Sequence, residues 1–88
     1  MKRADTLEAA RKCVCGERDG QYGSPENNFK IIADLWNGYL GTKMEPFEVA
    51  VLLSLVKIAR IKASPCKADS WVDLAGYAAC GAEVTESL

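Results

Sequence analysis

The sequence contains no histidine, and its prolines number three in 88 residues. Without histidine, a zinc site would depend on the four cysteines, and the C-x-C pair of Cys13 and Cys15 has a poor chelating spacing on a helix. No stretch of useful length alternates apolar with polar residues, which is the pattern of a half-buried β-strand. The sequence therefore predicts an all-α protein that needs neither a metal nor another cofactor.

The sequence has no large excess of charge of either sign, since it contains 11 basic and 12 acidic residues and its net charge is −1. Because no basic stripe stands out, we expect no duplex nucleic acid as a partner. No apolar run is long enough to cross a membrane, and Lys57 and Arg60 interrupt the most apolar one. With no signal peptide and few cysteines, the sequence predicts a reduced, cytoplasmic protein that does not enter a membrane.

Start and stop signals divide the chain into four predicted helices. Asp5 with Glu8 resembles a capping box, Ser24-Pro25 and Glu45-Pro46 are typical helix starts, and Asp69 or Ser70 would cap the last helix. Residues 1–88 are thus predicted to form a single helical domain, either a helical hairpin or a four-helix bundle. The predicted helices run over residues 6–15, 25–40, 46–63 and 69–85.

The third predicted helix is apolar on almost every side. Such a helix is buried in a bundle or in an oligomer. A chain this short buries only about 60–65% of its unfolded surface, so a monomer would be marginally stable. We therefore expect a homo-oligomer, a dimer or larger, to complete the core.

Two cations, Lys57 and Arg60, lie one turn apart within this apolar helix. An unpaired charge costs several kcal/mol to bury, so each needs an anionic partner. That partner is either the pair Asp69 and Asp73, in the first turn of the fourth helix, or an anionic ligand.

A ligand pocket can be drawn around these charges. Asp69, Asp73, Tyr77 and Cys80 share one face of the fourth helix, and Gly76 beside them allows close approach. Phosphate would contact the two cations, and the two aspartates would bind hydroxyls or a metal. A nucleotide base would stack on Tyr22 or Tyr77, and its edge would hydrogen-bond to the Asn28 side chain near the start of the second helix. The candidate ligand-binding residues are Tyr22, Gly23, Asn28, Lys57, Arg60, Asp69, Asp73 and Tyr77.

Each of these residues also has an ordinary structural interpretation. Lys57 and Arg60 would form a salt-bridge network with the aspartates, in which Asp73 pairs with Arg60, and Asp69 would be a helix cap. Tyr22-Gly23 would be a turn, Tyr77 a core residue and Asn28 a helix-start hydrogen-bonding group. The same reasoning makes Trp36 and Trp71 core or subunit contacts and makes Glu45 and Glu48 a solvated first turn.

Three segments carry a resemblance to known proteins. Y-G-S-P-E-N-N-F (22–29), K-I-A-R-I-K (57–62) and D-S-W-V-D-L-A-G-Y-A-A-C (69–80) resemble a family of small phage and prophage proteins of uncharacterised function. The resemblance covers about residues 17–83. More distantly, the chain is similar to nucleotide-modification-associated domains and to MazG-like all-α nucleotide pyrophosphohydrolases.

The MazG-like resemblance implies a helical oligomer that binds nucleotides. Those enzymes hold magnesium with E-x-x-E on one helix and E-x-x-D on the next. Here the matching set would be Glu45, Glu48, Asp69 and Asp73, but Pro46 places Glu45 at a helix start, and the aspartates are four residues apart. This departure favours phosphate binding without catalysis.

Three functions follow as hypotheses. The first is a binding module that holds a nucleotide-derived ligand without cleaving it. Some phage proteins act in this way and sequester immune signals of the cyclic-nucleotide or ADP-ribose type in the cytoplasm of an infected bacterium. The second is a magnesium-dependent nucleoside triphosphate pyrophosphohydrolase. The third is an interaction protein that binds a host protein and whose buried charges only fix the packing of its helices.

Overall fold

The computed structural model describes residues 1–16 and 24–88, with the side chains of Glu26 and Ser87 excepted. In these ranges the chain forms four α-helices and no strand, which confirms the predicted all-α bundle. The helices are α1 (Arg3–Cys15), α2 (Pro25–Leu40), α3 (Pro46–Ala63) and α4 (Ala68–Val84), and a short 3₁₀ turn (Thr85–Ser87) follows α4.

The helix starts explain where the sequence prediction was right and where it was wrong. The Ser24 hydroxyl accepts a hydrogen bond from the Asn27 amide at 3.3 Å, so α2 begins at Pro25 as predicted. Helix α1 begins at Arg3 rather than Thr6, because the Asp5 carboxylate accepts from the Lys2 amide at 3.0 Å and lies inside the first turn. Asp5 is therefore not the cap residue.

The start of α4 also differs from the prediction. Lys67 is the cap residue and Ala68 the first helical residue, so Asp69 lies within the first turn and Ser70 is buried one position later. The predicted capping roles of Asp69 and Ser70 are wrong. Negative charge at Asp69 still favours the helix, because the first turn carries the positive end of the helix dipole.

Helices α3 and α4 form an antiparallel pair to which α1 and α2 are added. The pair is antiparallel because Lys57 on α3 contacts Asp73 on α4, whereas Ala50 lies beside Gly81. Helix α1 packs mainly on α4, and α2 packs mainly on α3. The core between them contains Phe29, Ala33, Val49, Ala50 and Val84.

The apolar character of α3 is only partly explained by packing within one chain. Val49 and Ala50 are buried, but much of the rest of the helix faces outward. The large apolar side chains exposed on α3 are Val51, Leu52, Leu55, Val56 and Ile58. The expectation that the whole helix is buried is therefore not met in a single chain, and the expected oligomer stays a prediction.

The two tryptophans have different surroundings. Trp36 is half-buried against the core, as predicted. Trp71 is 45% exposed, and its indole N–H donates to the Pro65 carbonyl at 2.8 Å across the loop before α4. Trp71 is thus no core residue of the single chain.

Across residues 1–16 and 24–88, no helix combines the length and the apolar character that a membrane crossing requires.

Candidate functional site

A cavity of about 460 Å³ opens where all four helices meet. Pockets that bind small molecules commonly have volumes of about 300–1,000 Å³, so this cavity is large enough for such a ligand. Its walls come from two residues of α1, four of α2, two of α3 and five of α4. The lining residues are Cys13, Val14, Pro25, Asn28, Phe29, Ile32, Leu53, Lys57, Val72, Asp73, Gly76, Tyr77 and Cys80.

The charged feature of the cavity wall is an ion pair between α3 and α4. Lys57 Nζ lies 2.9 Å from Asp73 Oδ2, and the two side chains are 16% and 35% exposed. Asp73 is thus the anionic partner that the sequence required for Lys57. The predicted alternative in which Asp73 pairs with Arg60 is wrong, because Lys57 takes that place.

The cavity brings together four of the eight predicted ligand-binding residues. Asn28, near the start of α2, and Tyr77, on α4, line it together with Lys57 and Asp73. Tyr77 is also packed against the core, so its structural interpretation holds as well. The predicted shared face of α4 is confirmed in part, since Asp73, Tyr77 and Cys80 all line the cavity.

Of the other four predicted residues, two are described, and neither of these lines the cavity. Arg60 and Asp69 are exposed, and neither forms an ion pair within residues 1–16 and 24–88. Tyr22 and Gly23 lie outside the described residues.

The contribution of α1 to this site was not predicted from the sequence. Cys13 and Val14 line the cavity, and Val14 lies so close to α4 that a Cβ at Gly76 would be 3.2 Å from its Cγ1. The glycine therefore allows the approach of α1. An apolar stripe on α1 predicts that this helix packs on another, but it does not tell which helix the stripe meets.

The four carboxylates that could bind magnesium in the enzyme alternative are distributed over both ends of the α3–α4 pair. Glu45 and Glu48 are at the start of α3, where the Glu45 amide donates to Glu48 Oε1 at 3.2 Å. Asp73 contacts Lys57, and Lys57 is nine residues after Glu48 on α3. At 1.5 Å per residue, this separates the glutamates from Asp73 by about 14 Å along the helix. Among the described residues, no group of three or more Cys, Asp or Glu side chains could hold a metal ion.

Comparison with known proteins places this sequence in a family. Residues 5–85 match the profile of a domain of unknown function, DUF6378. The chain belongs to the DUF6378 family. The predicted resemblance to a small phage family of uncharacterised function is thereby confirmed.

Two phage proteins are similar to this DUF6378 chain. The Gene 55 protein of Mycobacterium phage D29 is 45% identical over 80 residues, which are 91% of this chain and 53% of that protein. The Gene 55 protein of Mycobacterium phage L5 is 40% identical over 73 residues, which are 82% of this chain and 47% of that protein. The chain thus spans about half the length of these curated relatives. No solved structure matches it.

Proposed function

We propose that this DUF6378 chain is a binding module that holds a nucleotide-derived, anionic ligand in the four-helix cavity without cleaving it. In the phage setting that its relatives suggest, such a module would sequester a signal of bacterial immunity, of the cyclic-nucleotide or ADP-ribose type. The observation that carries the proposal is the Lys57 ammonium in the cavity wall, 16% exposed and fixed by Asp73.

The ion pair leaves Lys57 able to bind a phosphate. A lysine ammonium has three N–H donors, and Lys57 Nζ lies 2.9 Å from Asp73 Oδ2. One nearby carboxylate oxygen does not engage all three donors, so donors remain for phosphate oxygens. Asp73 would hold the ammonium in place in the cavity wall, which reduces the entropy lost when the ligand binds.

The other polar groups of the wall suit the rest of a nucleotide. The Asn28 amide offers both donors and an acceptor, which a base edge requires. Tyr77 is half-buried and lines the cavity, and its aromatic ring is a group on which a base could stack. Apolar side chains such as Phe29 and Ile32 exclude water around these groups, which strengthens the hydrogen bonds that they would form.

The distribution of carboxylates supports binding rather than cleavage. Magnesium-dependent pyrophosphate release needs several carboxylates around one ion. In the described residues Asp73 is engaged by Lys57, and Glu48 accepts a hydrogen bond at the other end of the helix pair.

A thermal-shift screen tests the proposal. The panel contains mono-, di- and trinucleotides, cyclic dinucleotides and ADP-ribose derivatives, each with and without magnesium at one fixed protein concentration. A ligand at 100 times its dissociation constant stabilises the protein by about 2.7 kcal/mol, which raises Tm by about 10 °C or more in so small a domain. Each hit is then incubated and analysed for products by chromatography.

The expected result is a shift that needs no magnesium and leaves the nucleotide intact. Magnesium-dependent release of pyrophosphate would replace the binding module with the enzyme. No shift with any member of the panel would overturn the nucleotide assignment of the cavity.

A further inference from the structure

The outward side of α3 carries an apolar surface that no other described part of the chain covers. We call Val51, Leu52, Leu55, Val56 and Ile58 the α3 face; these side chains are between 38% and 53% exposed. Leu55 is four residues after Val51, three after Leu52 and three before Ile58, and these spacings place side chains on one side of a helix. A continuous exposed patch of this kind on a small protein marks an interaction site.

Opposite charges stand at the two ends of this face. Glu48 is seven residues before Leu55 and Lys62 is seven residues after it. Seven residues are close to two helical turns, so all three side chains lie on the same side of α3, about 10 Å apart along the axis. Between Glu48 and Lys62 the α3 face itself carries no charge.

A groove continues the face toward α4. Its volume is about 380 Å³, and Val51, Leu55 and Ile58 form its α3 wall. On α4 the groove is lined by the small residues Ala78, Gly81 and Ala82 together with Tyr77. Small side chains allow another helix to approach closely, as in helix pairs that pack tightly.

We propose that a second copy of this chain covers the α3 face, with the two α3 helices antiparallel and crossing at Leu55. In this register Leu55 meets Leu55 of the second copy at the twofold axis, and Leu52 lies level with Ile58. Glu48 of each copy lies beside Lys62 of the other, so one arrangement buries the apolar residues and pairs the end charges twice. A self-complementary surface of this kind is what a twofold dimer requires.

The dimer leaves the ligand cavity accessible. Lys57, in the cavity wall, is two residues from Leu55 and thus about 200° away around α3. The two surfaces lie on opposite sides of the helix. Tyr77 of α4 lines both the cavity and the groove, whereas Lys57 lines the cavity, so loss of the dimer should leave the Lys57 site in place. Variants at Lys57 and at Leu55 therefore test the two proposals separately.

Sedimentation equilibrium of the full chain and its variants tests the dimer. The wild type should have twice the mass of the 9.6 kDa chain. Leu55→Asp should weaken the dimer about tenfold or more, because two carboxylates would be desolvated side by side at the axis. Leu35→Asp is the matched control, since Leu35 is an exposed leucine of α2 outside the α3 face, and it should remain dimeric.

Charge reversal tests the register separately. Lys62→Glu should weaken the dimer because it places two carboxylates together at each end, and Lys62→Glu with Glu48→Lys should restore it. Circular dichroism of every variant confirms that the helices persist, which is expected because Leu55 and Lys62 are exposed in the single chain.

A monomeric wild type would overturn the proposal and assign the face to another partner. A dimer that Leu55→Asp leaves unchanged, or that the double reversal fails to restore, would overturn the proposed interface or its register.

Discussion

At the scale of single residues, the pairing of Lys57 with Asp73 accounts for a cation in an otherwise apolar helix. The lysine is mostly buried and the aspartate is about one-third exposed. A pair in this position lies between a surface ion pair, which contributes at most about 1 kcal/mol, and a buried one, whose disruption costs about 3–5 kcal/mol.

Separate and combined substitution of the pair should therefore give different results. Lys57→Met or Asp73→Leu alone should lower the free energy of unfolding by about 1–3 kcal/mol, because each leaves one charge without its partner. The double variant should regain most of that loss, since two apolar side chains can pack together. Urea unfolding of the four proteins measures the coupling, and strictly additive single losses would contradict it.

The same residues show which parts of the site could be predicted from the sequence. The need for an anionic partner follows from burying a charge, and the helix periodicity placed Asp73, Tyr77 and Cys80 on one face. Arg60 was grouped with Lys57 because they are one turn apart. The structure separates them, because Arg60 lies in the last turn of α3 and is exposed there. How deeply each turn is buried depends on neighbouring helices, which local periodicity does not specify.

At the scale of secondary-structure elements, Asn37 holds the connection between α2 and α3. Its Oδ1 accepts from the Met44 amide and from the Thr42 hydroxyl, both at 2.7 Å, and its Nδ2 donates to the Met44 carbonyl at 3.0 Å. This side chain therefore substitutes for backbone partners that the loop lacks. Nothing in the sequence indicated this role beyond the glycine at position 41, where φ is +70°.

Replacing Asn37 should reveal this role. Asn37→Ala removes three hydrogen bonds and should lower the free energy of unfolding by about 1–3 kcal/mol. Asn37→Asp keeps both acceptor contacts, loses one donor and should cost less than the alanine variant. Chemical denaturation of both variants distinguishes them, and equal stability of Asn37→Ala and the wild type would exclude the role.

The α3–α4 pair depends on a close approach at Gly81. A Cβ there would lie 3.1 Å from the Cβ of Ala50, which is buried. Gly81→Leu should therefore lower stability by about 1–3 kcal/mol through overpacking. Gly38 is the control, because a Cβ at that position of α2 meets nothing within 4 Å.

Gly38→Ala should raise the stability by about 0.5–1 kcal/mol, since alanine favours a helix more than glycine does. Thermal unfolding of both glycine variants checks the comparison. If Gly81→Leu were as stable as the wild type, the described approach of α3 to α4 would be incorrect.

The boundaries of α2 and α3 were the most predictable part of the fold. Ser24-Pro25, Gly41 and Pro46 act through the backbone of their own neighbours, so their effect can be read locally. The start of α1 was missed by three residues because an aspartate can serve as the cap or, as Asp5 does, accept from the cap residue's amide.

At the scale of the whole molecule, the chain has a small core and a large apolar surface. The sequence indicated that α3 needs covering on all sides, which stays a prediction for the side that a single chain leaves exposed. It could not tell which side the other three helices would leave open, because that depends on the crossing of the helices. The structure assigns the open side to the α3 face and the charged side to the cavity.

The central claim is that the cavity binds an anionic ligand through Lys57. Isothermal titration calorimetry of the strongest hit from the nucleotide screen tests it directly, with Lys57→Ala compared with Lys43→Ala, a control lysine exposed in the connection between α2 and α3. The account predicts that Lys57→Ala weakens binding about tenfold or more, the loss of a charge-assisted hydrogen bond, while Lys43→Ala binds as the wild type does. Equal affinities of the wild type and Lys57→Ala would contradict the account.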